Sequence, residues 1–488
     1  MTPSYSSIGT EKKYLCCDCI NEDFLSTEVA RDGIVRKCSY CGSDGPSYTI
    51  GQLSERIETA FEQHYTRTDD QPDAHESMRI AIGERRFWVR DGDSVADAIQ
   101  YAAEIPEDAA RDIQRILECK YWDRGAVEIG EETEFDAGTH YERKGADDLE
   151  WQTAWHNFER SLKIEARFFS RSATLYLAGV FGGVDTMRTH DGRKLVVRAG
   201  PSTRYKAFYR ARAFQSDPVL EEALKRPDRH VGTPPSSSAA AGRMNARGIS
   251  VFYGASRPNV AIAEVRPPVG SRVVVARFEI IRPLQLLDLT ALSDVTTDGS
   301  IFDPTSIGRF ERARFLRSLT SRITRPVMPD DEPSEYLVTQ AIADFLATEN
   351  EPQLDGIIFP SVQAGGKARN VVLFRKASEV EEIGLPHGTE ISAHLGMSTE
   401  DGWEDDYSVS EQTPHEHSAP PIPSPDRFTR FPNFGTDIGE YDPWPSNPTL
   451  RIDLDSVHVH TVRAVQVKAT GKAVSRHRWT KPVGKADF

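Results

Sequence analysis

The sequence predicts an α+β protein in three folded parts: a small zinc ribbon, an α-helical domain and a C-terminal mixed α/β domain. Three observations predict it. Five of the six cysteines fall between Cys16 and Cys41, four of them in two C-x2-C pairs. Residues 50–185 repeat apolar side chains at helical spacing. Residues 190–395 alternate β-branched and aromatic runs with helical ones. At 488 residues the chain is too long for one compact unit.

The ribbon is expected over residues 1–49. Cys16 and Cys19, then Cys38 and Cys41, are separated by 18 residues, which lies within the spacing of zinc sites. Each C-x2-C turn lets two thiolates converge on one ion, and Gly42 and Gly45 suit the tight backbone after the second pair. So short and polar a segment has little apolar burial to fold on, and metal binding supplies the difference. Free thiols or a redox dithiol are the competing readings. Cys17 is left over, and Cys119 sits in an apolar helical stretch.

The helical domain is expected over residues 50–185. Leu53, Ile57, Ala60, Phe61, His64 and Tyr65 share a helix face. Ser94 to Asp97 reads as a capping box, and Pro106 suits the first turn of the next helix, with Ile113, Ile116 and Leu117 on one side. Trp151, Trp155, Phe158 and Leu162 form a stripe ending near Arg167-Phe168-Phe169, read as core. In the third domain, 190–395, strands are expected at Ile249–Tyr253, Val273–Ile280, Gly356–Phe359 and Asn370–Phe374, and helices at Phe310–Arg322 and Tyr336–Ala347. Residues 396–448 read as a linker, acidic at Glu400–Asp406 and Pro-rich from Pro414. Residues 449–488 begin with alternation at Leu450–Asp455 and Val457–Val467 that predicts strands returning to the third domain's sheet.

Composition excludes several classes. Charged residues make up 27% of the chain and its net charge is −15, which argues against wholesale coating of nucleic acid or anionic membrane. The polar stretch Met1–Thr10 lacks the apolar region of a secretory signal. The longest apolar-leaning run, Ala173–Val184, is shorter than a membrane span and holds three glycines. A soluble cytoplasmic protein is expected.

Against that acidic background, ten arginines lie between Arg193 and Arg257. Most such charges simply solvate a surface. Arg243 stands between Gly242 and Met244-Asn245, with Gly248 beyond, where glycine-flanked backbone can approach a ligand and a guanidinium fork suits a pyrophosphate. Alternation sends Phe252 and Tyr253 to opposite faces of a strand. Glu264 ends the apolar run Val260–Ala263, either as the solvent-facing residue of an amphipathic helix or as a carboxylate held in a pocket. Ser361 follows the buried-looking strand Gly356–Phe359, at the end where open sheets present ligand groups.

The ordered set Arg243, Tyr253, Glu264 and Ser361 resembles the RES domain family, named for its Arg, Glu and Ser. Phe208-Tyr209-Arg210-Ala211-Arg212, Gly242-Arg243-Met244-Asn245, Phe252-Tyr253 and Phe359-Pro360-Ser361 before Asn370 are similar as well. So is Arg451-Ile452-Asp453-Leu454-Asp455-Ser456, which resembles the family's closing strand. The front half resembles the zinc ribbon and helical HEPN-type domain that precede RES in one branch. The resemblance implies a fold like the ADP-ribosyltransferase core. It implies NAD as substrate, cleaved at the nicotinamide–ribose bond with phosphate or water as acceptor, in a toxin or defence effector. Glu264 would hold the ribose hydroxyls and the growing positive charge. Arg243 would grip the pyrophosphate or attacking phosphate, and Tyr253 would stack on nicotinamide or ribose. Ser361 would hydrogen-bond ribose or phosphate, with Arg210 and Asn370 as further substrate ligands and zinc confined to the ribbon.

HEPN ribonucleases carry an Arg followed within a few residues by a His. Here Arg56 and His64 are too widely spaced, which implies a sensor, dimerisation or inhibitory module instead. An antitoxin or trigger partner and a homo-oligomer are implied, without a membrane. Transfer of ADP-ribose to a macromolecule, and a non-catalytic nucleic-acid-binding or regulatory protein, are the alternative functions.

Overall fold

The computed structural model describes residues 11–72, 77–78, 88, 90–145, 147–165, 169–297, 299–400, 402–414, 447–466 and 469–479. The chain divides into two compact units, both discontinuous: Met1–Val197 with Gly242–Ala246 and Gln285–Phe359, and Arg198–Ala241 with Arg247–Leu284 and Pro360–Phe488. The stretch 190–395, expected as one domain, therefore contributes to both units.

The first unit opens with a three-stranded antiparallel sheet in the order Tyr14–Cys16, Asp44–Thr49, Ile34–Lys37. Helix Asp23–Asp32 packs on it, with Leu25 and Val29 buried. Thr49 then caps helix Ile50–His64 through a reciprocal box with Gln52, which satisfies two otherwise orphaned amides. Ser94 accepts from the Asp97 amide at the start of helix Val95–Ala103, as the sequence predicts. Pro106 is the N-cap of helix Glu107–Tyr121, whose Ile113, Ile116 and Leu117 are buried.

These helices share one apolar cluster with the ribbon, running from Leu15, Cys16, Ile20 and Leu25 to Leu53, Ile57, Ile99 and Ile113. A second small sheet, Tyr65–Arg67, His140–Arg143 and Asp93–Ser94, lies within the stretch read as wholly helical. Its strands are two to four residues long, too short to leave a period-2 signature.

Helix Leu149–Ile164 buries Trp155, Phe158 and Leu162 as the aromatic stripe requires, with Trp155 5.8 Å from Phe315. The end of that stripe at Arg167-Phe168 lies outside the described residues. Helices Ser306–Thr324 and Glu332–Thr348 extend the expected ones by a few residues at each end. Strands Leu284–Asp288 and Gly356–Pro360 run parallel, pairing Leu286 with Gly356 and Asp288 with Ile358.

The second unit is built on five antiparallel strands in the order Leu450–Thr461, Arg272–Ile280, Ala207–Phe214, Phe252–Ala255, Arg369–Leu373. The alternation after Leu450 forms one strand that ends at Thr461, and Arg451 to Asp453 pair with Glu279 to Arg277. The strand expected from Ile249 begins at Phe252, after a turn at Gly248 with φ of +86°. Helix Pro258–Glu264 lays Val260 and Ala261 on Ala211, Ala255, Val273 and Val275.

Gly254 has no room for a side chain. A Cβ there would stand 2.7 Å from the Phe252 ring and 3.1 Å from Phe208 Cβ.

One expectation is overturned. Residues 396–399 and 402–412, read as the start of a linker, belong to a β-hairpin of Glu390–Thr399 with Gly402–Gln412. The side chains of its second strand are almost all exposed, so Glu404, Asp405 and Asp406 stay in water, whereas the first strand half-buries Ile391 and Ala393 and buries Leu395. Acidic composition signals solvation, and a hairpin whose acidic strand is exposed on both faces meets that condition without being a linker. The Pro-rich part, residues 415–446, lies outside the described residues.

Candidate functional sites

The ribbon sheet brings Cys16, Cys19, Cys38 and Cys41 together, with all four Sγ atoms within 4.8 Å of one another. Cys16 and Cys41 are 3.6 Å apart, and Cys19 and Cys38 are 3.9 Å apart. Four thiolates about 2.3 Å from a tetrahedral zinc ion stand roughly 3.8 Å from each other, so the donor set fits zinc in number, chemistry and spacing. Gly42, at φ +78°, turns the backbone so that its amide reaches the Cys38 carbonyl.

Burial pushes the Cys16 thiol up to about 11 and raises Cys19 as well. Hydrogen bonds from Ser43 pull the exposed Cys41 down to about 6. Buried thiols of this kind become thiolates together only around a cation. Cys17 points away, with its thiol 3.7 Å from its neighbour Asp18. Cys119, expected in a core, is exposed.

A second cluster lies wholly in the second unit. Pro258 pre-sets the first turn of a seven-residue helix that ends at Glu264. Ser361 Oγ donates to Glu264 Oε1 at 2.6 Å, and Asn370 Nδ2 donates to the same oxygen at 2.8 Å. Both donors are buried, at 4% and 5% exposure, whereas Glu264 itself is exposed.

One carboxylate oxygen is thus locked by two interior groups while Oε2 has no protein hydrogen bond among the described residues. Ser361 is placed by its own amide on the Ala368 carbonyl, and its oxygen accepts from the Ala364 amide. Asn370 is placed by its strand, where it pairs with Ala255. Its Oδ1 is buried with no hydrogen-bond partner among the described residues. A buried carbonyl oxygen without a donor costs free energy unless a ligand supplies one.

Arg210, on strand Ala207–Phe214, donates to the Tyr253 carbonyl at 2.8 Å and lies 5.3 Å over the Phe252 ring. Burial, then repulsion from Arg212, brings its guanidinium down to about 10, so it stays charged at neutral pH. No carboxylate pairs with it among the described residues. The tyrosine expected to stack on substrate contributes its carbonyl here, and its ring is partly buried.

The structure places Arg243 in the first unit. Its guanidinium donates to the carbonyls of Ile323 at 2.7 Å and Arg325 at 3.0 Å, and rests 5.1 Å over the Tyr336 ring. It also lines a cavity of about 530 Å³ with Lys163, Arg322, Arg325 and Glu335. Two residues that the sequence reading passed over hold this turn. Thr339 Oγ1 donates to the Arg243 carbonyl, and Gln340 Nε2 donates to the carbonyls of Gly242 at 2.9 Å and Asn245 at 3.0 Å. The only sequence signal was the polar pair Thr339-Gln340 between Val338 and Ile342.

Arg56 donates to Glu28 at 2.6 Å and to the Phe302 carbonyl at 2.8 Å, and burial lowers the pKa of His64. Arg56 is thus engaged within the first unit, whereas the His64 ring stands edge-on to Phe310 at 5.9 Å with its Nε2 buried and without a hydrogen bond among the described residues. Among the described residues no helix is long and apolar enough to cross a membrane.

No curated protein and no solved structure matches the chain. The family model of the RES domain matches residues 208–394, a segment that contains Arg210, Arg243, Tyr253, Glu264, Ser361 and Asn370. RES domains are in general NAD-related and toxin-like. The Ser361–Glu264–Asn370 cluster lies inside the segment that the RES domain model matches.

Proposed function

We propose that the chain degrades NAD by breaking the bond between nicotinamide and ribose, with phosphate or water as acceptor. The observation that carries this reading is the Glu264 carboxylate, pinned at Oε1 by Ser361 and Asn370 and open at Oε2. Cleavage of the N-glycosidic bond sends its electron pair to the pyridinium nitrogen, so nicotinamide leaves neutral and positive charge grows on the ribose. A fixed carboxylate stabilises that charge in the transition state without reorganising. A phosphate or water oxygen then forms the new bond to the anomeric carbon, and water gives up a proton to solvent. Asn370 Oδ1, lacking a donor, suits a ribose hydroxyl or the nicotinamide amide. Arg210, a cation without a carboxylate, suits a phosphate. Arg243 enters this reading through the family match, not through the geometry of the carboxylate cluster.

The same reading makes the chain a toxin or defence effector whose helical region is a HEPN-like restraining module. An antitoxin or a trigger would then act on it.

The test is to incubate the purified protein with NAD, with and without phosphate, and to follow nicotinamide and the sugar product. ADP-ribose-1″-phosphate supports phosphorolysis and free ADP-ribose supports hydrolysis. A labelled macromolecule would shift the reading to ADP-ribosyl transfer. Intact NAD, both with the full chain and after its exposure to cell extract, would overturn it.

A further inference from the structure

Helix Leu149–Ile164 carries Trp155, Glu159 and Lys163 at four-residue steps, so the three share one face. That face, the last turn of helix Ser306–Thr324 and the start of helix Glu332–Thr348 surround the cavity of about 530 Å³ that Arg243 also lines. Every residue lining it belongs to the first unit. In a chain of net charge −15, its walls hold four cations, Lys163, Arg243, Arg322 and Arg325, against two carboxylates, Glu159 and Glu335.

These cations are not equally available. Arg243 spends its fork on the Ile323 and Arg325 carbonyls. Lys163 and Arg325 share Glu335, at 2.6 Å and 3.2 Å. Arg322 donates to the side-chain oxygen of Gln152 and lies 5.9 Å over the Trp155 ring, and it forms no ion pair among the described residues. Glu159 accepts from Trp155 Nε1 at 2.7 Å, which ties it to the indole. A half-buried guanidinium whose partner is a neutral amide has donors left for an anion, and no carboxylate must first be displaced from it.

Charge and shape narrow that anion. A phosphate monoester carries about 1.5–2 negative charges at neutral pH, which matches the excess of two cations, whereas a carboxylate supplies one. The cavity is larger than a bare ion needs, since clefts of about 300–1,000 Å³ take whole small molecules. Its floor is apolar, with Trp155, Ile323 and Val338 buried, and burying an organic group there adds to the affinity.

We propose that this cavity binds a small phosphate monoester, with the phosphate on Arg322, Lys163 and Arg325 and the organic part on Trp155, Ile323 and Val338. Glu335 is the internal anion with which the phosphate competes for Lys163 and Arg325. Glu264, Ser361 and Asn370 do not line the cavity, so this inference stands or falls independently of the NAD reading.

The test titrates phenyl phosphate, orthophosphate and benzoate in turn into the full chain by calorimetry, at about 50 mM salt so that screening stays weak. Phenyl phosphate should occupy about one site per chain. It should bind about tenfold tighter than orthophosphate, which lacks the apolar body, or benzoate, which lacks the phosphate. Arg322→Gln should weaken phenyl phosphate by about tenfold or more, through loss of charged hydrogen-bond donors. Glu335→Gln should instead tighten it about fivefold, because Lys163 and Arg325 are released from their carboxylate. Thermal unfolding reports whether each variant keeps the parent's fold. Where Arg322→Gln does not, the direction of the change in Glu335→Gln decides.

No binding of phenyl phosphate would overturn the proposal. So would equal affinity for orthophosphate, which would mean a bare anion site, or for benzoate, which would mean that the apolar floor selects the ligand. Unchanged or weaker binding in Glu335→Gln would place the ligand outside this cavity.

Discussion

Glu264 occupies the last residue of its helix, where the macrodipole disfavours a carboxylate. Hydrogen bonds from Ser361 and Asn370 offset that penalty, and they fall on one oxygen only. A group held against its local electrostatics by buried partners is what a functional carboxylate requires. Replacing it by Ala should therefore lower NAD turnover at least 100-fold while the protein stays folded, by the measure of losing one preorganised electrostatic group. Near-wild-type turnover in Glu264→Ala would refute the assignment.

Ser361→Ala and Asn370→Ala should each cost less, because the other donor still holds Oε1. The double variant should depart from additivity by about 1 kcal/mol or more, since the two donors share an acceptor. Strict additivity in kcat/KM would show that they act on different groups. All three residues were legible in the sequence as types at particular places: a Glu ending an apolar run, a Ser after a strand, an Asn opening one. Their convergence on a single oxygen was not legible, because it depends on the antiparallel pairing of Asn370 with Ala255 and on the loop that returns from Ser361.

At the level of elements, Arg243 does work that its sequence neighbourhood hides. Helix Ser306–Thr324 ends with carbonyls that lack intrahelical partners, and the Arg243 fork satisfies those of Ile323 and Arg325 while stacking on Tyr336. Charged hydrogen bonds of this kind contribute about 1.5–3 kcal/mol each, less where partly exposed. Arg243→Ala should thus lower stability by about 2 kcal/mol in urea denaturation. Arg243→Lys should recover only part, because an ammonium cannot bridge two carbonyls with a planar fork. Unchanged stability together with lost turnover would instead make Arg243 a substrate ligand.

A second element-scale device is Asp228, which is 4% exposed. Burial raises its pKa, but the Arg226 fork, 3.0 Å away at Nε, and the Ile383 amide at 2.9 Å outweigh burial and hold it below the usual carboxylate range. A depressed folded-state pKa means that the stability it contributes is fully present above the unfolded value of about 3.9 and is lost as pH falls through the folded one. Asp228→Asn should therefore destabilise the protein at neutral pH and flatten its acid-denaturation curve below about pH 4. A variant whose acid limb overlays that of the parent would rule out this tether. Regular elements of this kind were legible wherever periodicity ran long, as in helix Glu332–Thr348 and strand Arg272–Ile280. The hairpin of Glu390–Thr399 with Gly402–Gln412 was not, because only Ile391, Ala393 and Leu395 of its first strand alternate inward and its second strand is almost wholly exposed.

Across the larger body of the first unit, the ribbon is not an appendage. Its buried Leu15, Cys16, Ile20 and Cys38 belong to the same cluster as Leu53, Ile57, Ile113 and Leu117 of the helices. Tyr40, between the second pair of cysteines, donates to Asp112 Oδ2 at 2.7 Å, and Lys13 reaches the same oxygen at 2.6 Å. Asp112 is 4% exposed, so a buried carboxylate on helix Glu107–Tyr121 has its Oδ2 satisfied from the ribbon, while Arg115 of its own helix stands 3.4 Å from Oδ1. The cysteine spacing made the tetrad legible. It could not show this coupling, because Asp112 lies far along the chain from either cysteine pair.

The coupling changes what metal removal should do. A free-standing ribbon would unfold alone when its roughly 10–16 kcal/mol of apparent zinc binding is withdrawn. Here the loss of the loop would free the Tyr40 hydroxyl and the Lys13 ammonium and leave buried Asp112 with only Arg115, 3.4 Å from Oδ1, and an under-compensated buried charge is destabilising. Metal analysis should find about one zinc per chain. Chelation, or Cys38→Ser, should raise hydrogen exchange not only in residues 11–49 but also in helices Ile50–His64 and Glu107–Tyr121. The sheet Leu450–Thr461, Arg272–Ile280 and Ala207–Phe214, in the other unit, provides the internal reference and should keep its protection. Exchange confined to the ribbon would show that the shared core outlasts its metal, and the ribbon would then be a separable module.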